Sequence, residues 1–432
     1  MLVSADWVLP VDRPPIRSGA VVTNDDLIVA VGSWADLGAR YPDEERHHFA
    51  GCVLTPGLVN AHTHLTLTAL AGVVPPAPFA EWLPRLVAAL RPWEIADHEA
   101  SGIIGAEQCL LGGVTVVGDI AYGAAEVVSA MHAGLGGVYY WEVLGITAEE
   151  LSGTLAQLRF PASAESLGTR GLAGLSPHSP YTSGPSLLRA THDEAARLHA
   201  PVAIHVAESV NERELMHAGT GALAGTAGRT AQGFVAPGTS TVAYLAGLGV
   251  LEGATAVHVC ELEDGDVDLL VASVRGVVTC PRSNRYLSNN PPQAAPLLAA
   301  GLAVGIGTDS AASNSDLDLL GEVRALSKAE PELPAGTLVE IATRLGSRAI
   351  GVADRYGTLS PGNQADLAVF DLGATANPER ALVERGGSAC ARAVASAGAW
   401  RVLDGALIAP DTRAAVRAEQ AKQRSLAALA EL

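Results

Sequence analysis

Eight short apolar runs rich in β-branched residues recur along this chain, at residues 53–59, 114–117, 138–141, 172–175, 202–204, 254–257, 277–279 and 303–306. Most are separated by stretches with helical periodicity, such as 186–199 and 264–273. Strands apolar on both faces that alternate with helices predict a parallel sheet, because helices must cover both of its sides. Eight such units over roughly 300 residues predict an α/β fold of the (β/α)8 TIM-barrel type, which we place at residues 55–356. The rival is an open doubly wound sheet, but its Gly-x-Gly-x-x-Gly turn is missing after the first run.

The 432 residues exceed what that barrel needs. Residues 27–31, 365–370 and 393–402 read as strands between turn signals. They predict a small β-sandwich domain assembled from both chain ends, 1–54 and 357–410. Residues 411–432 form an amphipathic helix with Leu426 and Leu429 on one side, suited to packing. Residues 217–240 are rich in Gly, Ala and Thr. A connection of that length predicts either a functional lid or a disordered segment.

Apolar residues make up 48% of the chain, enough for a sizeable core. No run reaches the ~18 apolar residues of a membrane span, and the first residues lack a basic segment followed by an apolar one. The five cysteines, Cys52, Cys109, Cys260, Cys280 and Cys390, are scattered and form no Cys-x-x-Cys pair. That argues against a disulfide framework and a structural zinc knot, and fits a cytoplasmic protein. A net charge of −18 excludes nucleic acid as a partner, which needs a basic face. The expected partner is a small molecule; homo-oligomerisation is left open.

In such a barrel, chemistry gathers at the C-terminal strand ends. The first run leads to His62 and His64, which converge because residues two apart on an extended backbone point the same way. The fourth leads to His178, the fifth to His205 and then Glu208, the sixth to His258, and the eighth to Asp309. One histidine at one end is more often a core residue; this joint placement predicts a metal site. Three imidazoles and one carboxylate hold one divalent cation and leave room for water. Such an ion lowers the pKa of its water from about 15.7 to about 7. Glu208, three residues past His205, shares the pocket without ligating and suits a proton shuttle. Asp309 is placed to touch the metal and to accept a proton from the water. His258 either ligates or hydrogen-bonds the water.

The segments Pro-Gly-Leu-Val-Asn-Ala-His-Thr-His at 56–64, His-x-x-Glu at 205–208, the isolated His258, Gly-Thr-Asp-Ser at 307–310 and Gly-Asn-Gln-Ala-Asp-Leu at 362–367 cover nearly the whole chain. Together they resemble the metal-dependent amidohydrolase superfamily, in its branch of mononuclear deaminases and chlorohydrolases. The resemblance implies that His62, His64, His205 and Asp309 bind one Zn2+ or Fe2+. It implies an acid–base role for Glu208 and a water-polarising role for His258. Two-metal members of the superfamily usually bridge their ions with a carboxylated Lys, and no Lys lies between Met1 and Pro281.

Ser-Pro-His-Ser-Pro-Tyr-Thr around His178 and Cys-Pro-Arg-Ser-Asn at 280–284 are similar to the branch's nucleoside deaminases, which act on adenosines altered at the 5′ position. By that resemblance Glu94 meets the ribose and His178 the purine, with Asn284 also at the substrate. Deaminases of S-adenosylhomocysteine and methylthioadenosine carry arginines after the third strand; here none occurs between Trp141 and Arg159. The Trp-Glu-Val-Leu stretch at 141–144 is more similar to aminodeoxyfutalosine deaminases of menaquinone synthesis. Arg282 and Arg285, past the seventh run, are then expected to meet a carboxylate on a bulky 5′ group. The rival functions are deamination of S-adenosylhomocysteine, methylthioadenosine or adenosine, a triazine-type hydrolase, and a non-catalytic scaffold. A scaffold would be expected to lack parts of the site.

Overall fold

The chain opens with four strands, β1 (Leu2–Val8), β2 (Ile16–Asn24), β3 (Leu27–Ser33) and β4 (Arg46–Pro56), which carry long buried runs such as 19–23 and 52–56. The structure is a computed structural model that describes residues 1–226 and 234–431. Gly57 then breaks the chain direction. Its backbone lies against Thr115, whose hydroxyl would sit 2.0 Å from an added Cβ. The apolar run at 53–59 is therefore two strands in different sheets, where the sequence predicted one.

Eight parallel strands follow: β5 (Leu58–Thr63), β6 (Val114–Ala121), β7 (Gly136–Val143), β8 (Gly171–Pro177), β9 (Ala203–Val206), β10 (Thr255–His258), β11 (Gly276–Thr279) and β12 (Val304–Ile306). They form two four-stranded sheets, β5-β6-β7-β8 and β12-β11-β10-β9. One bridge joins the sheets on each side, Thr63 with Asp309 and Leu175 with Val202. The predicted barrel thus consists of two half-barrels that meet at two thin seams. Inward side chains of both halves share one core, including Val59, Ala61, Val116, Val138, Tyr140, Ala203 and Val278. Helices such as Ile95–Leu111, Pro185–Arg197 and Asp266–Ser273 cover the outside.

The remaining strands, β13 (Leu367–Asp371), β14 (Ala391–Ser396), β15 (Ala399–Leu403) and β16 (Ala406–Leu407), join the first four in a single sheet of order β16-β15-β14-β13-β4-β1-β2-β3. The expected β-sandwich is therefore one continuous sheet. It curls around a shared apolar face, which takes Ile28 from one end and packs Trp400 from the other. The predicted strand 393–402 is a hairpin, turned at Ala397 and Gly398, both with positive φ.

The last helix, Thr412–Ala430, buries Ala414, Ala418, Ala421 and Ser425, while the expected apolar contact Leu426 is 40% exposed. Small residues let the helix lie close to Ile95–Leu111, and polar ties fix it there. Arg417 and Arg424 pair with buried Asp97, and Trp93 donates to Ser425. Of residues 217–240, part is helical (Ala222–Thr226) and 227–233 lie outside the described residues, as does the question of a lid. Among the described residues no helix is long and apolar enough to cross a membrane.

Close backbone approach sets the strand ends. A Cβ on Gly307 would lie 2.5 Å from the His62 carbonyl oxygen and 2.8 Å from both its N and its Cβ. We expect Gly307→Ala to destabilise the protein by about 1–3 kcal/mol and to lower its metal content. Denaturant unfolding and metal analysis of the purified variant would check this.

Candidate active site

His62 lies within β5 and His64 just beyond it, before the 3-10 turn Leu65–Leu70. His205 stands on β9, and its ring is 5.0 Å from that of His62 and 5.8 Å from that of His64. The ligand atoms of His62, His64 and His205 all lie within 4.8 Å of one another. Asp309 completes the group: its Oδ1 is 3.5 Å from Nε2 of both His62 and His64.

His205 and Asp309 are each aimed by neighbours. The His205 Nδ1 donates to the His178 carbonyl at 2.8 Å, which leaves Nε2 with its lone pair free. The other oxygen of Asp309, Oδ2, accepts from the hydroxyls of Ser283 at 2.6 Å and Ser313 at 2.8 Å. Asn60 ties the two strand ends together, donating to Thr308 Oγ1 and accepting from the Thr308 N–H. Ala207, His258 and Asp309 all have positive φ, an unfavourable backbone geometry for residues with a side chain and common at active sites.

Burial drives the electrostatics. It lowers His205 and His258 to about 4 and pushes His64 and His178 well below the usual imidazole value. Asp309 is held far below the carboxylate range because the histidines outweigh its own desolvation. At neutral pH the cluster is neutral imidazoles around one carboxylate, the form that ligates a divalent cation. His62 Nε2 is buried with no hydrogen-bond partner among the described residues. The donor set fits a zinc-like ion with three nitrogens and one oxygen.

His258 and Glu208 face each other, Nε2 to Oε1, at 3.8 Å. Burial raises Glu208 well above an ordinary glutamate, helped by Asp309 and Glu212. Asn284 Oδ1 is 3.3 Å from His258 Nδ1, so Asn284 positions that ring. His178, at the β8 end, has its ring tilted against that of His205 at 4.7 Å, with its Nδ1 against Ser179 and Thr182.

The remaining predicted substrate residues are not gathered here. Glu94 begins the helix Ile95–Leu111, is 79% exposed, and pairs with Arg417 at 2.9 Å. Arg282 spends its guanidinium on Asp316 and Glu322. Arg285 is exposed and lines a surface groove with Asn289, whose amide reaches Glu208 at 3.4 Å. The sequence analysis missed Ser283, Ser313 and Asn60, although Ser283 and Asn60 lie inside motifs already singled out. It also missed Glu212, one helical turn past Glu208, which accepts the N–H groups of Ala207 and Glu208 and so anchors the loop.

Residues 53–400 match the amidohydrolase family, and residues 19–43 the imidazolonepropionase-like composite domain of bacteria. This chain belongs to the amidohydrolase family. An aminodeoxyfutalosine deaminase of Deinococcus radiodurans is 34% identical over 353 residues, 77% of this chain and 81% of its own. A 5-methylthioadenosine/S-adenosylhomocysteine deaminase of Pelotomaculum thermopropionicum is 30% identical over 391 residues, 86% and 85% of the two chains. Among solved structures, a zinc-bound adenosine deaminase from Xanthomonas campestris superposes with a TM-score of 0.85, at 27% identity over 98% of each chain.

The histidine shifts give this amidohydrolase a defined acid limb. Unfolded histidines take up protons near pH 6.5, whereas His205 and His258 wait until about 4. Their contribution is complete above about pH 6.5 and is lost as pH falls toward 4. We expect metal-free His205→Asn/His258→Asn protein to lose less thermal stability than metal-free wild type across that window. Melting curves of both at stepped pH would check it.

Proposed function

We propose that this chain is a metal-dependent hydrolytic deaminase of an adenine nucleoside modified at the 5′ position. The observation that carries the reading is the pairing of two carboxyls of opposite character at one cluster of histidines. The histidines hold Asp309 well below the usual carboxylate range, whereas burial raises Glu208 well above its own. His62, His64, His205 and Asp309 would hold one Zn2+ or Fe2+, which lowers the pKa of a water and so supplies the nucleophile.

Replacing the 6-amino group by oxygen consumes one water and releases ammonia. Glu208 donates its proton to ring N1 as C6 is attacked, so negative charge does not build on the purine. Asp309 would accept the proton lost by the water, with His258 placed to hydrogen-bond that water. Glu208, left as a carboxylate, takes the proton of the new C6 hydroxyl and passes it to the departing amino group, and the proton on Asp309 restores Glu208 for the next cycle. His178, tilted against His205, faces the purine, and Asn284 acts on the substrate through His258. All five cysteines are free, which suits a cytoplasmic site of action.

For the 5′ group we favour 6-amino-6-deoxyfutalosine, converted to futalosine in menaquinone synthesis. Two things support it: the stretch after β7 has no arginine for an amino-acid tail, and the Deinococcus relative carries that name. Arg285, beside Asn289, is offered for the carboxylate of that substituent; Arg282 is already committed to Asp316 and Glu322. Deamination of methylthioadenosine or S-adenosylhomocysteine is the second reading, favoured by the Pelotomaculum relative.

Two outcomes are expected. Glu208→Gln keeps the shape but cannot shuttle a proton, so turnover should fall by roughly 10²–10⁴-fold while metal content survives. Ammonia release and metal analysis on the same preparation would check both halves. In a substrate panel, kcat/KM should be highest for aminodeoxyfutalosine, and Arg285→Ala should narrow its lead over adenosine. Higher kcat/KM for S-adenosylhomocysteine would select the second reading.

A further inference from the structure

Glu142 is a buried carboxyl with no use in the chemistry above. On β7, Val138 and Tyr140 point into the barrel core, while Tyr139, Trp141 and Val143 pack outward against the helices. The period of two continues the inward row to Glu142, at the C-terminal mouth. Its register partner on β8 is Ser176, two residues before His178. Glu142 is 7% exposed. Its Oε1, the Ser176 hydroxyl and the Tyr181 hydroxyl are all buried without a hydrogen-bond partner among the described residues. Tyr181 stands edge-on to His178 at 5.8 Å, so these groups line the wall next to the site.

A carboxyl taken from water without a partner is costly unless a ligand supplies the missing donors. No cation pairs with Glu142 among the described residues. An anion such as a phosphate would be repelled there, whereas a neutral donor group is matched. Two carboxyl oxygens beside two hydroxyls suit a pair of adjacent hydroxyls on the ligand. Position assigns the part of the molecule. The reacting purine carbon must lie near Asp309 and His258; in strand order, β8 and β9 separate β7, with Glu142, from β10, with His258. What reaches Glu142 is the part joined to the base, the sugar. Glu94, the carboxylate that resemblance offered for the ribose, is instead paired with Arg417 at the surface.

We propose that Glu142 binds the 2′,3′-diol of the substrate ribose and sets the preference of the site for ribonucleosides over deoxynucleosides. This rests on the nucleoside reading above. Burial alone pushes the free carboxyl up to about 8, so it is largely protonated until a ligand arrives.

The test compares adenosine, 2′-deoxyadenosine and 3′-deoxyadenosine on metal-loaded wild type, Glu142→Ala and Glu142→Gln. Wild type should favour adenosine in kcat/KM by roughly 10–100-fold over each deoxy analogue. Glu142→Ala should erase most of that ratio, mainly through KM for adenosine, with metal content unchanged and deoxyadenosine kinetics little altered. Glu142→Gln should retain part of it, and decides the matter if the Ala variant does not fold. A ratio unchanged in the folded variants overturns the proposal. If wild type releases no ammonia from any adenine nucleoside, the deaminase reading fails by itself, and calorimetric binding of the same three compounds replaces kinetics. Hydroxyl-dependent binding that Glu142→Gln weakens still supports the diol contact; no binding, or binding indifferent to the hydroxyls or to Glu142, overturns it.

Discussion

One buried negative charge, on Asp309, organises this molecule. Its two oxygens do different work: Oδ1 faces His62 and His64 at 3.5 Å each, and Oδ2 is held by Ser283 and Ser313. An ion in so dry a place is tolerated because polar partners surround it on every side. Meeting that condition requires β5 and β12 to converge, which Gly307 permits by leaving room for the His62 backbone. It also requires Asn60 to stitch the two strand ends. The thin seams between the half-barrels fall at the same places. Asp309 and Thr63 make one bridge, and the other seam runs between the strands that carry His178 and His205.

Carboxyl groups with the same intrinsic acidity are separated here by surroundings alone. Asp309, ringed by imidazoles, stays ionised. Glu208, facing other carboxyls and desolvated, is pushed the other way. Glu212 is raised to about 7 by burial, yet its two backbone N–H partners keep it useful as the anchor of the Glu208 loop. The opposite shifts of the two carboxyls therefore come from packing, as in other pairs of titratable groups with diverging environments.

The cluster of His62, His64 and His205 was legible because strand ends are legible. A β-branched run that stops at His205 announces both the strand and the direction of the histidine. What surrounds those ligands was not, because Ser283 and Ser313 are ordinary small residues whose meaning depends on which carboxylate they meet. Among the expected substrate residues, Glu94 pairs with Arg417 and Arg282 with Asp316. Those pairings were not legible, because a long charged side chain takes the nearest opposite charge, which lies far away in sequence. The run at 53–59 misled for a different reason: apolar continuity hides a change of sheet when the break is a single Gly57. The sandwich expectation failed similarly, since strand count says nothing about whether edges pair.

The central strand β4 has β1 on one side and β13 on the other. Thr55 on β4 even bonds the carbonyl of Ala368, 313 residues away. A chain leaving the ribosome can form β1 to β4 early, but β4 keeps a bare edge until almost everything else has been made. The half-barrels must then assemble while that edge waits. Contacts of such sequence separation make folding slow and leave a sticky strand exposed meanwhile. Expression of this protein will thus be governed by how fast synthesis finishes and by chaperones that shield β4, more than by the stability of the finished barrel.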